Sequence, residues 1–130
     1  MCIFCDIIGG KIPSKKVYED DQVIAILDIS QTTKGHTLVM PKKHYDNFLD
    51  MPEDEFTYLM SKVQMLSKQI LSGLYANGCN TLINTNEIAG QTIKHAHVHI
   101  IPRYDSNDTV NFSFTENQFD LDKILEEIKK

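Results

Sequence analysis

Three of the chain's five histidines stand two residues apart in His95-Ala96-His97-Val98-His99, and Ile100-Ile101-Pro102 follows. Imidazole can ligate a metal, attack an electrophile or carry protons near neutral pH. The spacing narrows the choice. Side chains two apart on a β-strand share a face. An extended chain therefore lines up His95, His97 and His99 on one side and sends Ala96, Val98 and Ile100 into a core on the other. A helix would scatter the three around its axis. Pro102 suits the end of such a strand, where the ladder needs no further donor. The rise of a strand sets neighbouring histidines about 6–7 Å apart and the outer pair about 13 Å apart. One metal ion with bonds of about 2 Å cannot easily hold all three, so an outer histidine has a separate task.

Cys2-Ile3-Phe4-Cys5 is a second group with chemistry in it. A C-x-x-C pair is half a zinc site or a redox couple. The redox motif follows a strand and opens a long helix, and this pair stands at the start of the sequence, which favours zinc. Cys79 stands alone and reads as a small apolar residue. In a reducing compartment three cysteines do not make a disulfide framework.

These groups need a scaffold. With 130 residues and ordinary hydrophobic and charged fractions, the sequence predicts one compact domain over 1–130. Its net charge of −5, with 13 unclustered basic residues, disfavours binding to nucleic acid or an anionic membrane. A small anionic ligand in a local pocket remains compatible. The longest strongly apolar run, Val23 to Leu27, is too short to span a bilayer. The N-terminal residues lack the pattern of a secretory signal, so a cytoplasmic location is expected. Val17 to Glu19 and Val23 to Leu27 read as a hairpin turning at Asp20-Asp21. His36 to Met40 reads as a third strand ended by Pro41, Thr81 to Thr85 as a fourth, and the histidine row as a fifth. Between Pro52 and Tyr75, Phe56, Leu59, Met60, Val63, Leu66, Ile70 and Leu74 recur at helical spacing. Acidic residues Glu53 to Glu55 open that helix, and Asn77-Gly78 is expected to stop it. Asp120 to Lys130 reads as a short amphipathic helix on Leu121, Ile124, Leu125 and Ile128. Consecutive strands with flanking helices indicate an α+β fold with an antiparallel sheet.

The row and three other segments resemble the histidine triad (HIT) family, whose motif alternates three histidines with apolar residues. GHTLVMPKKH (Gly35 to His44), CIFCDIIGGKIP at the N-terminus and the loop Ala89-Gly90-Gln91-Thr92 extend the likeness over residues 1–105. Residues 106–130 carry no matching motif and form a C-terminal extension. The resemblance implies a five-stranded antiparallel sheet per subunit and a homodimer with a continuous ten-stranded sheet. It implies an enzyme acting at the α-phosphate of a nucleotide, such as a nucleoside phosphoramidate or a dinucleoside polyphosphate, and releasing a nucleoside monophosphate such as AMP. His97 matches the nucleophile, His99 the residue that contacts phosphate and assists proton transfer, and His36 a supporting histidine. Asn84, Gly90, Gln91 and Thr92 match the phosphate-binding positions. Asp28 matches the ribose carboxylate, and Phe4, Ile7 and Ile29 match the apolar slot for the base. Cys2, Cys5, His44 and His95 match a structural zinc set found in a bacterial subgroup, one ion per chain, with no catalytic metal. Two rival functions differ in class. A metal-dependent hydrolase would use the histidine row as ligands, and a regulatory module would bind nucleotide without turning it over.

Overall fold

The structure is a computed structural model and describes residues 2–130. Its hairpin, β1 (Lys16–Glu19) and β2 (Val23–Leu27), turns where expected. Asp20 closes that turn, its carboxylate accepting from the backbone N–H groups of Gln22 and Val23 at 2.8 Å each. The other oxygen accepts from the hydroxyls of Tyr18 and Tyr58, which fastens the hairpin to the long helix. These donors outweigh the cost of burial and hold the Asp20 carboxyl well below the usual carboxylate range.

β3 (Thr37–Pro41) pairs with β2, and β5 (Val98–Arg103) lies between β3 and β4 (Gly78–Leu82). The sheet order is β1-β2-β3-β5-β4, and each neighbouring pair is antiparallel. Period-two alternation then sorts the side chains to two faces. Val23, Ala25, Val39, Val98 and Ile100 pack under α2 (Glu53–Leu74) with its buried stripe Leu59, Val63, Leu66 and Ile70. Each such aliphatic side chain contributes roughly 1.5–3 kcal/mol when fully buried. Ile24, Ile26, Leu38 and Met40 face the other way, against Phe4 and Ile7 of the short helix α1 (Ile3–Ile8). The histidines lie on the α1 side. This layout meets the α+β expectation.

Four local expectations need correction. The fifth strand starts at Val98, so only His99 of the row lies on the ladder. Continuing the β3–β5 register past Val39↔Val98 would bring Pro41 opposite Ala96. Pro41 has no N–H, and its carbonyl accepts from the His95 ring at 2.8 Å, so pairing stops there. Pro102 lies within the strand, opposite Cys79, and Arg103 ends it. The fourth strand runs Gly78–Leu82 rather than from Thr81 to Thr85; its partner begins at Val98, so Asn84 and Thr85 have no strand residue opposite them. The long helix ends at Tyr75 as expected, but the stop is Tyr75 itself in the left-handed conformation (φ 57°) and not Asn77-Gly78. The C-terminal helix α3 (Leu121–Ile128) forms as expected, but Leu121, Leu125 and Ile128 are exposed.

Candidate active site and metal centre

Ala96 N–H donates to the Tyr45 carbonyl at 2.7 Å, holding the row against the chain that leaves β3. Period two survives even before the strand begins: Ala96, Val98 and Ile100 enter the α2 core, and the three histidines face α1. His95 is fully buried, with the edge of Phe4 at 5.9 Å between ring centroids. His97 meets the same Phe4 edge at 5.0 Å.

Hydrogen-bond partners fix each ring. The His97 Nδ1–H donates to the carbonyl of His95 at 2.6 Å, which leaves the Nε2 lone pair free. His95 in turn donates from Nε2 to Pro41, so its Nδ1 carries a lone pair toward Cys2 Sγ at 3.4 Å and Cys5 Sγ at 3.6 Å. His44 donates from Nε2 to Asp46 at 2.9 Å and turns Nδ1 to Cys5 Sγ at 3.3 Å. Four donors, two thiols and two imidazole lone pairs, thus lie within 4.8 Å of one another. Zinc bonds of about 2.3 Å to sulfur and 2.0–2.1 Å to nitrogen, at the tetrahedral angle, put S and N roughly 3.5 Å apart. The donor set fits. Both imidazoles also have the oriented outer hydrogen bond that metal-bound histidines need.

The two thiols differ. Burial raises both, but around Cys2 the Cys5 and His44 hydrogen bonds prevail and leave it below the ordinary thiol value. Burial and the charge of Cys2 push Cys5 up to about 11. Cys2 Sγ also accepts from the Cys5 N–H at 3.3 Å, at the start of α1.

His36 is buried on the adjoining strand's approach. The Thr32 N–H donates to its Nδ1 at 3.3 Å, so the ring's proton lies on Nε2, 2.9 Å from His99 Nδ1 and 3.7 Å from Asp28 Oδ2. Asp28, His36 and His99 form another group of three donors within 4.8 Å. Zinc-bound nitrogens stand about 3.3 Å apart, so the 2.9 Å contact is a hydrogen bond instead. Burial pushes His36 and His97 below 6.5 and, helped by the two neighbouring rings, pushes His99 down to about 4. Burial thus favours the neutral form of all three rings.

A cavity of about 400 Å³ opens beside these rings, lined by His97, His99, Asp28, Phe4, Ile7 and Ile29 among others. With Thr92, seven of the sequence-selected residues therefore meet in one space. Phe4 and Ile7 form its buried wall, whereas Ile29 is 99% exposed at its rim. Thr92 borders this cavity and a second one beside Cys2 and His44. The Gln91 carboxamide, expected at the phosphate, is buried and spent on backbone. It donates to Asp46 and Ile93 carbonyls at 2.6 and 3.0 Å and accepts from Asn86 N–H at 2.8 Å. Gly90 is left-handed (φ 100°), and an added Cβ there would meet the Asn84 amide at 3.4 Å. Asn86, which the sequence reading passed over, holds φ 71° and ψ 159°, a conformation essentially confined to glycine. Leu27, Pro13 and Ser14 also line the cavity and carried no signal beyond their apolar or turn character.

The fold defines a small α+β protein with a histidine face on one side of its sheet and a Cys₂His₂ donor set beside it. The HIT domain matches residues 9–106, and the chain belongs to the HIT family. It is 48% identical to a HIT-like protein of Methanocaldococcus jannaschii over 130 residues, 99% of each chain. A crystal structure from Streptococcus mutans superposes with a TM-score of 0.93 at 43% identity, covering 98% of this chain and 83% of that one. Adenylylsulfatase HINT3 of Arabidopsis thaliana is 41% identical over 102 residues, 78% of this chain and 52% of that protein. A zinc-bound histidine triad protein of Mycobacterium smegmatis superposes with a TM-score of 0.79 at 36% identity, covering 84% and 79%. No helix among the described residues is long and apolar enough to cross a membrane.

Proposed function

We propose that this chain is a nucleotide hydrolase or nucleotidyl transferase that works through a covalent nucleotidyl-histidine. The observation that carries the reading is His97: its Nδ1–H is tied to the His95 carbonyl at 2.6 Å, and the ring lines the cavity with its other nitrogen unprotonated. That nitrogen attacks the α-phosphorus. The new N–P bond forms as the bond from phosphorus to the leaving group breaks, and its electron pair departs on the leaving group. Water then adds to phosphorus, returns the N–P electron pair to His97 and releases a nucleoside monophosphate such as AMP. His99 offers an Nε2–H to the phosphate or leaving-group atom. Asn84, Thr92 and the backbone at Gly90 receive the phosphate oxygens, and Gln91 shapes their loop. Asp28 accepts from the ribose hydroxyls, while Phe4, Ile7 and Ile29 hold a purine base. Phosphoramidates and dinucleoside polyphosphates present the same α-phosphorus and are the proposed substrates. The relative named for adenylylsulfatase activity supports chemistry at that atom.

Cys2, Cys5, His44 and His95 would hold one zinc ion per chain. With four protein ligands the ion would serve structure, pinning α1 and its Phe4 to the catalytic segment. The chain is read as one domain with a C-terminal extension from residue 106, located in the cytoplasm and working as a homodimer. β4 is a sheet edge, and the extension presents exposed Phe114, Phe119, Leu121 and Ile128, a surface that a second copy can cover.

His97→Ala tests the mechanism. It is expected to lower turnover of adenosine phosphoramidate by about 10³-fold or more while circular dichroism and melting stay unchanged. Full activity in the folded variant would end the proposal. Brief chelation separates it from the metal-hydrolase alternative, which predicts immediate loss of turnover. Nucleotide binding without any turnover by the zinc-loaded wild type would favour the regulatory module.

A further inference from the structure

β2 passes to β3 through a loop, residues 28–36, that carries Asp28 at one end and His36 at the other. Gln31 sits on its outer surface, yet its carboxamide is turned in. Nε2 donates to the carbonyls of Asp28 and His36, and Oε1 accepts from the Gly35 N–H at 2.7 Å. The orientation is unambiguous, since a flipped amide would set oxygen against two carbonyls. Bonds on an exposed loop add little net stability, about 1 kcal/mol each. What they fix is the backbone on either side of Gln31.

The residue after Gln31 addresses the His36 ring. The Thr32 N–H donates to Nδ1 at 3.3 Å and is the backbone group that this nitrogen meets. An N–H pointed at Nδ1 drives the proton to Nε2, whereas loss of that donor frees Nδ1 to take the proton. The consequence passes one ring further. His36 Nε2 lies 2.9 Å from His99 Nδ1, and only one hydrogen can occupy that bond. With the proton on His36 Nε2, His99 Nδ1 must accept, and the His99 proton is confined to Nε2. With the opposite tautomer of His36, His99 would carry its proton on Nδ1 and offer only a lone pair at Nε2.

We propose that Gln31 is a positioning residue that sets the tautomer of His99 from a distance, by holding the Thr32 N–H on His36 Nδ1. The inference rests on the reading of His99 as a hydrogen-bond donor to the substrate. Gln31→Ala removes the clamp. Gln31→Glu keeps its shape and still accepts from Gly35, but donates to neither carbonyl.

The test is long-range ¹H–¹⁵N correlation of the histidine rings in the protein as purified, without substrate, together with steady-state kinetics on adenosine phosphoramidate. In the wild type His99 should appear protonated on Nε2 alone. In both variants the His36 and His99 signals should move toward the Nδ1–H forms. kcat should fall roughly tenfold to a hundredfold, the scale seen when an imidazole loses its orienting partner, with KM changed less than about threefold. Unaltered ring signals in both variants would overturn the proposal. So would an unchanged kcat with a raised KM, which would mean that Gln31 only shapes the nucleoside site. Absence of turnover by the wild type would instead defeat the proposed activity, and the ring spectra would still decide the role of Gln31.

Discussion

His97 and His99 differ in what holds them, as the separate roles proposed for them require. A backbone carbonyl grips one and a second imidazole grips the other. Both are kept neutral by burial, and that neutrality makes stability depend on pH. The His36 and His99 rings sit below the ordinary 6.5 in the folded chain, His99 at about 4. As pH falls through 6.5 the unfolded chain takes up protons that the folded chain refuses, so stability is complete above about pH 6.5 and declines toward pH 4. Thermal melts across that range should show Tm flat above pH 7 and dropping below it. His99→Gln should shallow the drop, and an identical slope in the variant would contradict this account. At this scale the histidine spacing was informative because period two depends only on extended backbone. The role of Gln91 was not legible, because a glutamine that binds phosphate and one that braces a loop look alike until the acceptors around it are known. Gln31 escaped notice for the same reason.

Among the elements, long periodic ones were read well and their ends poorly. The helical stripe from Phe56 to Leu74 and the hairpin at Asp20 needed only local pattern. The start of β5 depends on Pro41, a residue more than fifty positions away, and the end of the long helix on a tyrosine taking a left-handed turn against its own preference. The loop before Gly90 holds a comparable strain at Asn86. Asn86→Gly should relieve it, offset in part by the added freedom of the unfolded chain. A net gain of about 1 kcal/mol, read as a Tm rise of roughly 2–6 °C, is expected. A lower Tm would mean that the Asn47–Asn86 side-chain contact (3.4 Å) matters more than the backbone.

On the scale of the whole molecule, fold class and family were legible because four separate segments agreed in order. Residues beyond 106 were not, since an amphipathic helix announces an apolar face without saying what covers it. Sedimentation of the wild type should give twice the 14.9 kDa chain mass, and a monomer at micromolar concentration would refute the homodimer. Metal analysis of protein purified without added zinc should find about one equivalent per chain. Cys5→Ser should lose it and melt at lower temperature, and a zinc-free wild type would remove that centre from the account.

Residue 95 is a hinge between two trades. Its ring is turned to sulfur on one side, and its peptide oxygen orients the His97 ring, which we propose as nucleophile, on the other. A chain of this shape that dispensed with the cysteine pair would need a replacement plug of equal bulk at that spot to keep the His97 ring in its present orientation. Retooling either centre by design therefore means rebuilding both together.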